Sequence, residues 1–308
     1  MPGYQQTYEM QRAALHAPQQ QPGSYDQISV TPLSGALGAR VEGVDLTNLD
    51  EAGFTEVERA LADHLVLTFP DQDLEPAAQV AFAQRFGPLM DYPFAKVMAE
   101  HPEVTELISE PDDVFNFGGS WHTDSPNFER PPKITMTYCV VAPETGGDTS
   151  FANQYLAWQT LSDGMRRLLE PMTAMHSTAL SYGADSAVGQ TAFKAQTSTP
   201  TGIGGNAKQD DEFEHPVART HPETGRKALY VCDSYAARFA GMTQEESLPL
   251  LRYLWAHAIL PEFTCRVHWQ AGTLTMWDNR CAMHYAHNDY PGQRRVMRRV
   301  IIEGERPV

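Results

Sequence analysis

The sequence predicts a mainly β protein, a β-sandwich or jelly roll with flanking helices. Three observations predict it. Short apolar runs bounded by Gly and Pro recur along most of the 308 residues. The helical patterns are few and stand singly between those runs. There is no regular alternation of strand and helix, and no GxGxxG, P-loop or nucleophile elbow to support a parallel α/β sheet. Strands of this kind bury their apolar faces by closing into two facing sheets.

Residues 1–27 are rich in Gln, Pro and Tyr without periodicity and read as a disordered N-terminal tail. Residues 28–308 read as one domain without internal repeats. Gly35, Gly38 and Gly43 punctuate short strands in 28–44. Asp50 precedes a helix in which Phe54, Val57, Leu61 and Leu65 share one face. The apolar strand 65–69 stops at Pro70. A second helix covers 76–86, with Pro76 early, where proline is tolerated, and Gly87 at its end. Strand character returns at 104–109, and 111–119 reads as a loop. Strands follow at 134–141 and 148–152, turned by Gly146-Gly147. A helical region spans 155–169 with Ser162 as an interior N-cap. Residues 181–214 are rich in Gly, Ser, Thr and Gln and too long for an ordinary connection, which predicts a lid. A strand is expected at 229–232. Thr243 and Glu246 form a capping box before Leu248, Leu251 and Leu254. Cys265, Val267 and Trp269 alternate with polar residues as a half-buried strand, and 274–277 and 296–303 close the series.

Composition narrows the function. Hydrophobic residues at 42% and charged residues at 20% are ordinary for a soluble globular protein. A net charge of −16 argues against nucleic acid or an anionic membrane surface as partner. It leaves room for a small anion in a local basic pocket. Cys139, Cys232, Cys265 and Cys281 are scattered without CxxC spacing, so neither a disulfide framework nor a zinc knuckle is indicated. A reduced, cytoplasmic setting fits. No apolar run has membrane-spanning length, and the N-terminus lacks an apolar signal core. A homo-oligomer is compatible with all of this.

The chemistry centres on Ser120-Trp121-His122-Thr123-Asp124-Ser125. On an extended segment His122 and Asp124 project to one face. They offer a nitrogen and a carboxylate oxygen, two of the three ligands of a 2-His-1-carboxylate facial triad for Fe(II). Such a pair recurs by chance, so its corroboration lies elsewhere. The third candidate is His284, in Trp277-Asp278-Asn279-Arg280-Cys281-Ala282-Met283-His284. Beyond it, Arg295, Met297 and Arg299 share one strand face, and two guanidinium groups there call for anions.

WHTD followed by PP, GGDT, the HPETG turn at 221–225, WDNRCAMHYA and DYPGQRRVMRR together resemble the taurine dioxygenase (TauD/TfdA) family of Fe(II)- and 2-oxoglutarate-dependent oxygenases. The resemblance runs from about residue 28 to the C-terminus. It implies a double-stranded β-helix, with His122, Asp124 and His284 as the catalytic iron ligands. It implies that Thr149 and Arg295 bind the distal carboxylate of the cosubstrate 2-oxoglutarate, that Arg299 holds an anionic group of the substrate, and that Trp277 lies near the iron. It implies O2 as the oxidant, with succinate and CO2 as coproducts. The family's halogenating members lack the carboxylate that Asp124 supplies, so hydroxylation is implied, with or without C–heteroatom cleavage. Tyr92 and Ala95 stand where the taurine-cleaving members carry a histidine and a tyrosine. The segment headed by Asn116 lacks the groups that read the taurine amine. Tyr92 and Asn116 are therefore substrate-binding candidates, and a larger, more apolar anion than taurine is expected against Phe94, Phe115 and Phe117. An alternative of another class is a cupin-type isomerase or binding protein. It needs the three ligands but neither Thr149 nor Arg295.

Overall fold

The computed structural model describes residues 24–91, 97–113, 118–179 and 212–308. Strands β1 (Ser29–Pro32), β2 (Ala39–Glu42) and β3 (Val66–Phe69) are joined through helix α1 (Glu51–His64). Then come α2 (Pro76–Gln84), β4 (Thr105–Ser109), β5 (Ile134–Val141) and β6 (Thr149–Asn153). Helices α3 (Gln154–Gln159) and α4 (Asp163–Leu169) lead to β7 (Thr173–Ser177). The C-terminal part holds β8 (Glu212–Pro216), β9 (Ala218–Thr220), β10 (Lys227–Leu229), β11 (Ala236–Phe239), α5 (Gln244–Ala258), β12 (Thr264–Val267), β13 (Leu274–Asp278), β14 (Ala282–Ala286) and β15 (Arg295–Ile302).

The main sheet has seven strands in the order β1-β2-β3-β13-β5-β15-β4, and a three-stranded sheet, β12-β6-β14, packs against it. The Phe151 ring on β6 meets the Trp277 ring on β13 at 5.4 Å, so apolar contact joins the two layers. This is the expected jelly roll. On the outer face of the main sheet, Phe54, Val57 and Leu61 of α1 and Phe82 of α2 bury against Phe69, Met276 and Val300. Burial of such side chains contributes roughly 1.5–3 kcal/mol each.

Local sequence accounts for the helix ends. The Asp50 carboxylate accepts the Gly53 amide at 2.8 Å and starts α1. Leu65 ends it in the left-handed region, φ 65°, its amide bonded to the Leu61 carbonyl at 2.7 Å. Thr243 and Glu246 make both bonds of the capping box that opens α5. Among the described residues no helix is long and apolar enough to cross a membrane.

Several boundaries differ from the sequence reading. Residues 24–27 belong to the packed domain rather than the tail: the Tyr25 hydroxyl donates to Asp63 at 2.8 Å, and Glu56 accepts the amides of Asp26 and Gln27 at 2.8 Å each. The last residues of the expected lid, 212–214, are strand, because β8 pairs antiparallel with β7. The rest of that segment lies outside the described residues. The helical region 155–169 is two helices. The Thr160 hydroxyl donates back to the Leu156 carbonyl at 2.7 Å as the first closes, and Ser162 caps the second. The strand expected at 229–232 is displaced to Lys227–Leu229, where β9 supplies its partner.

One buried charge cluster holds the turn between β13 and β14. Arg280 donates to Asp278 at 2.7 Å and to Glu223 at 2.9 Å, and His221 lies 2.9 Å from the same Asp278 carboxylate. The 221–225 turn is thereby fixed to the end of β13. Burial alone would raise the Asp278 carboxyl, but Arg280 and the His221 hydrogen bond hold it far below the usual carboxylate range. Removing one partner of such a pair strands a buried charge, at about 3–5 kcal/mol. Arg280→Met should lower urea-unfolding stability by roughly that amount, whereas Arg40→Ala, which loses only an exposed pair with Glu42, should cost less than about 1 kcal/mol. Because the folded Asp278 value is depressed, its contribution is complete above about pH 4 and fades as pH falls further. The Arg280→Met chain should therefore lose less stability on acidification than the wild type.

Candidate active site

A cavity opens between the two sheets, with about 450 Å³ of unfilled space including its mouth. His122, His284, Thr149, Arg295 and Arg299 all line it, with Thr137, Trp269 and Trp277 around them and Leu107, Ala286 and Met297 as apolar wall. These side chains come from β4, β5, β6, β13, β14 and β15 and from the segments before β5 and β13.

His284 lies in the middle of β14, opposite Phe151 of β6. His122 pairs with it as an isolated antiparallel bridge: the His122 amide donates to the His284 carbonyl at 3.0 Å, and the reverse bond is 2.7 Å. The two imidazole rings stand 4.1 Å apart. Asp124 follows, and Ser125, at φ 44°, turns the chain away directly behind it. The Asp124 Oδ1 atom is 3.9 Å from His122 Nε2 and 3.8 Å from His284 Nε2. One ligand atom from each residue thus lies within 4.8 Å of the others, all three residues being buried.

The orientation of the three side chains suits a divalent cation. His122 Nδ1 donates to the Ser120 carbonyl at 2.7 Å, so the ring presents its Nε2 edge toward Asp124. Burial lowers the His284 pKa to about 3, so its ring is neutral. Burial would raise the Asp124 carboxyl, but the Arg299 guanidinium beside it and a hydrogen bond from Thr135 draw it below its ordinary value. Two imidazoles and one carboxylate are the donor set that Fe(II) takes in a facial triad, and the residues fit that ion.

The anion-binding candidates lie on the same cavity. Arg295 and Arg299 share the inner face of β15 with Met297. Arg295 sits over the Trp269 ring at 5.8 Å, and its Nε has no hydrogen-bond acceptor among the described residues. Burial lowers its pKa, and an anion in the cavity would offset that cost. Trp269 also donates its indole N–H to the Thr149 hydroxyl at 3.0 Å. An indole nitrogen can only donate, so Thr149 accepts there and its own hydrogen is left for a cavity ligand. Thr149 stands at the start of β6, behind Gly146-Gly147. A side chain at Gly146 would run into the Asp289 backbone at 2.4 Å, and both glycines have positive φ. Arg299 Nη1 lies 3.8 Å from Asp124 Oδ1, so this guanidinium faces the carboxylate of the triad. The Trp277 ring lies 4.7 Å from the His284 ring, tilted 51° to it. Tyr92 and Asn116, with Phe94, Phe115 and Phe117, lie outside the described residues.

Sequence reasoning missed three polar neighbours. Thr135 donates to Asp124 Oδ2 at 2.6 Å. Asn279 donates to Thr135 at 2.8 Å. Trp269 orients Thr149. Asn279 lies inside the WDN motif and was in plain view, but only its tertiary contacts give it a role. Thr135 sits in an apolar strand and carries no local signal.

Known proteins agree with this geometry. Residues 29–301 match the family model described as taurine catabolism dioxygenase TauD, TfdA family. The alkylsulfatase of Acinetobacter baylyi is 34% identical over 281 residues, covering 91% of this chain and 86% of its own length. The alpha-ketoglutarate-dependent sulfate ester dioxygenase of Pseudomonas putida is 35% identical over 289 residues, covering 92% and 91%. The crystal structure of a taurine dioxygenase from Burkholderia xenovorans superposes with a TM-score of 0.76 at 32% identity, covering 92% of this chain and 93% of that one. A jelly roll carrying this triad, matched over nearly its whole length, belongs to the TauD/TfdA family of Fe(II)- and 2-oxoglutarate-dependent dioxygenases.

Proposed function

We propose that the protein hydroxylates a small organic anion, with a sulfate ester as the favoured class, at the carbon next to the ester oxygen. The observation that carries this is the opening of the His122–Asp124–His284 cluster onto a cavity that two arginines and an apolar wall also line. The sulfate-ester activities named for two relatives point the same way.

His122, Asp124 and His284 hold Fe(II). Bound iron, with O2 and 2-oxoglutarate, supplies the oxidation that converts a C–H bond to C–OH while releasing succinate and CO2. The chain's other residues bind and orient. Arg295 offers a planar, charged donor pair to the distal carboxylate of 2-oxoglutarate, which a lysine could not match in geometry. The Thr149 hydroxyl adds one hydrogen bond to the same carboxylate. Arg299 attracts the substrate's anionic group to the ring of ligands, and Leu107, Ala286 and Met297 take its carbon chain. Substrate oxidised at that carbon carries hydroxyl and sulfate on one atom. It collapses to a carbonyl and hydrogen sulfate, the hydroxyl proton leaving as the C–O bond to sulfate breaks. A cupin-type isomerase would have no use for Arg295 and Thr149 in this arrangement. Four buried, unpaired cysteines fit a reducing cytoplasmic setting.

The test is Fe(II)-dependent succinate release from 2-oxoglutarate in air, screened over alkyl sulfates, alkylsulfonates, phenoxyalkanoates and the matching neutral alcohols. Stimulation by alkyl sulfates, with aldehyde and sulfate as products, is expected. It should vanish on chelation and in His284→Ala. Stimulation by the alcohols alone would overturn the anion assignment.

Two variants separate the arginines. A charge-assisted hydrogen bond is worth about 1.5–3 kcal/mol, so Arg295→Ala should raise the half-saturating 2-oxoglutarate concentration about tenfold or more, and Thr149→Val less. Arg299→Ala should raise the KM for the sulfate ester far more than that for 2-oxoglutarate.

A further inference from the structure

The geometry points to Thr135 and Asn279 as a positioning relay that decides which oxygen of Asp124 is presented to the metal. The inference rests on the reading of His122, Asp124 and His284 as the metal ligands.

The relay starts at Trp277. Its indole N–H donates to Asn279 Oδ1 at 3.0 Å, and the Asp124 backbone amide points at the same oxygen at 3.4 Å. Both groups can only donate, so this end of the Asn279 amide must be its oxygen. The other end is then the NH2 group, which donates to the Thr135 hydroxyl at 2.8 Å. The Thr135 oxygen already accepts there, so its own hydrogen goes to Asp124 Oδ2 at 2.6 Å. Every proton in the chain has one direction, set by two groups that cannot reverse it.

Asn279 is anchored at each of its polar atoms. Its backbone N–H donates to the Lys133 carbonyl at 2.8 Å, and its backbone carbonyl accepts the Thr123 hydroxyl at 2.7 Å. It is 1% exposed and Thr135 is fully buried, so no water competes for these bonds. The same residue therefore holds the Thr123 hydroxyl between the two ligands, the Asp124 amide, and the Thr135 side chain that holds the Asp124 carboxylate.

The consequence is a carboxylate with two unequal oxygens. Oδ2 is taken by Thr135. Oδ1 faces both histidine nitrogens, at 3.9 and 3.8 Å. A carboxylate held in this way binds a cation through one oxygen. A freed carboxylate can swing to present both, which would occupy a position that the cosubstrate needs. Outer hydrogen-bond partners of metal ligands typically change metal affinity about 10–100-fold when removed.

The test uses the metal-free full chain titrated with Co(II), followed by the visible absorption of the bound ion, and then by 2-oxoglutarate. Wild type is expected to bind Co(II), and its absorption band to shift when 2-oxoglutarate is added. Thr135→Val, which keeps the shape of the side chain, should raise the Co(II) dissociation constant about 10–100-fold and alter the band. Thr135→Ser should restore both. Asn279→Ala should move both readouts in the direction of Thr135→Val. The thermal transitions of the metal-free chains report whether a variant folds, and Thr135→Ala replaces Thr135→Val if that chain does not. An unchanged dissociation constant and band in the variant overturn the relay while leaving the ligands in place. Failure of wild type to bind Co(II), with His284→Ala indistinguishable from it, overturns the ligand assignment and the relay with it.

Discussion

The site depends on one short stretch of antiparallel backbone pairing. Segment 118–122 runs along β14 as an extra edge: Ala286 donates to the Gly118 carbonyl at 3.0 Å, and His122 and His284 exchange both of their backbone bonds. Directly opposed residues in such a ladder lie within about 6 Å. Two histidines far apart in sequence are therefore paired by register alone, and Asp124 reaches the same point because its chain continues past that register. A slip of one residue would turn His284 to the other face of its sheet and dissolve the cluster.

The second organising constraint is the alternation of β15. Its inner face carries Arg295, Met297 and Arg299 into the cavity. Its outer face takes Arg298 to the Leu74 carbonyl and the Tyr138 ring. Arg295 and Arg299, four positions apart on one face with Met297 between them, stand about 13 Å apart along the strand. One therefore sits deeper against Trp269, and the other beside Asp124. On the proposed function, that spacing lets one basic strand serve two anions at a single metal. Arg299 also faces Asp124 Oδ1, so under the same proposal the substrate anion and the triad carboxylate draw on one guanidinium.

The supporting charges follow the rule that a buried ion keeps its partners. Asp278, Arg280, His221 and Glu223 form a closed cluster at the turn just before β14. His221, Asp278 and Cys281 also lie within metal-ligand distance of one another, but Asp278 is already held by a guanidinium there. This cluster locks the turn from which Asn279 reaches across to Thr135. Fold stability and ligand orientation thus meet in three consecutive residues, 278–280.

Much of the fold was legible from local signals. The capping box at Thr243, the Asp50 cap and the apolar runs that became β3, β5, β13 and β15 carry their structure in neighbouring residues, because caps and pleat alternation act over a few positions. Strands β7, β8, β11 and β14 were not legible: their short polar-bearing segments are strands only because a partner satisfies their amides. The candidate site divides in the same way. His122 and Asp124 announced themselves by spacing two apart, and Arg295 and Arg299 by alternation, since strand geometry makes those relations local. His284 had no local mark beyond its motif, and its meeting with His122 is a property of the sheet. Thr135, Asn279 and Trp269 were silent in the sequence. A hydroxyl, an amide or an indole N–H has meaning only through the partner to which it donates, and burial between two sheets alone selects that partner.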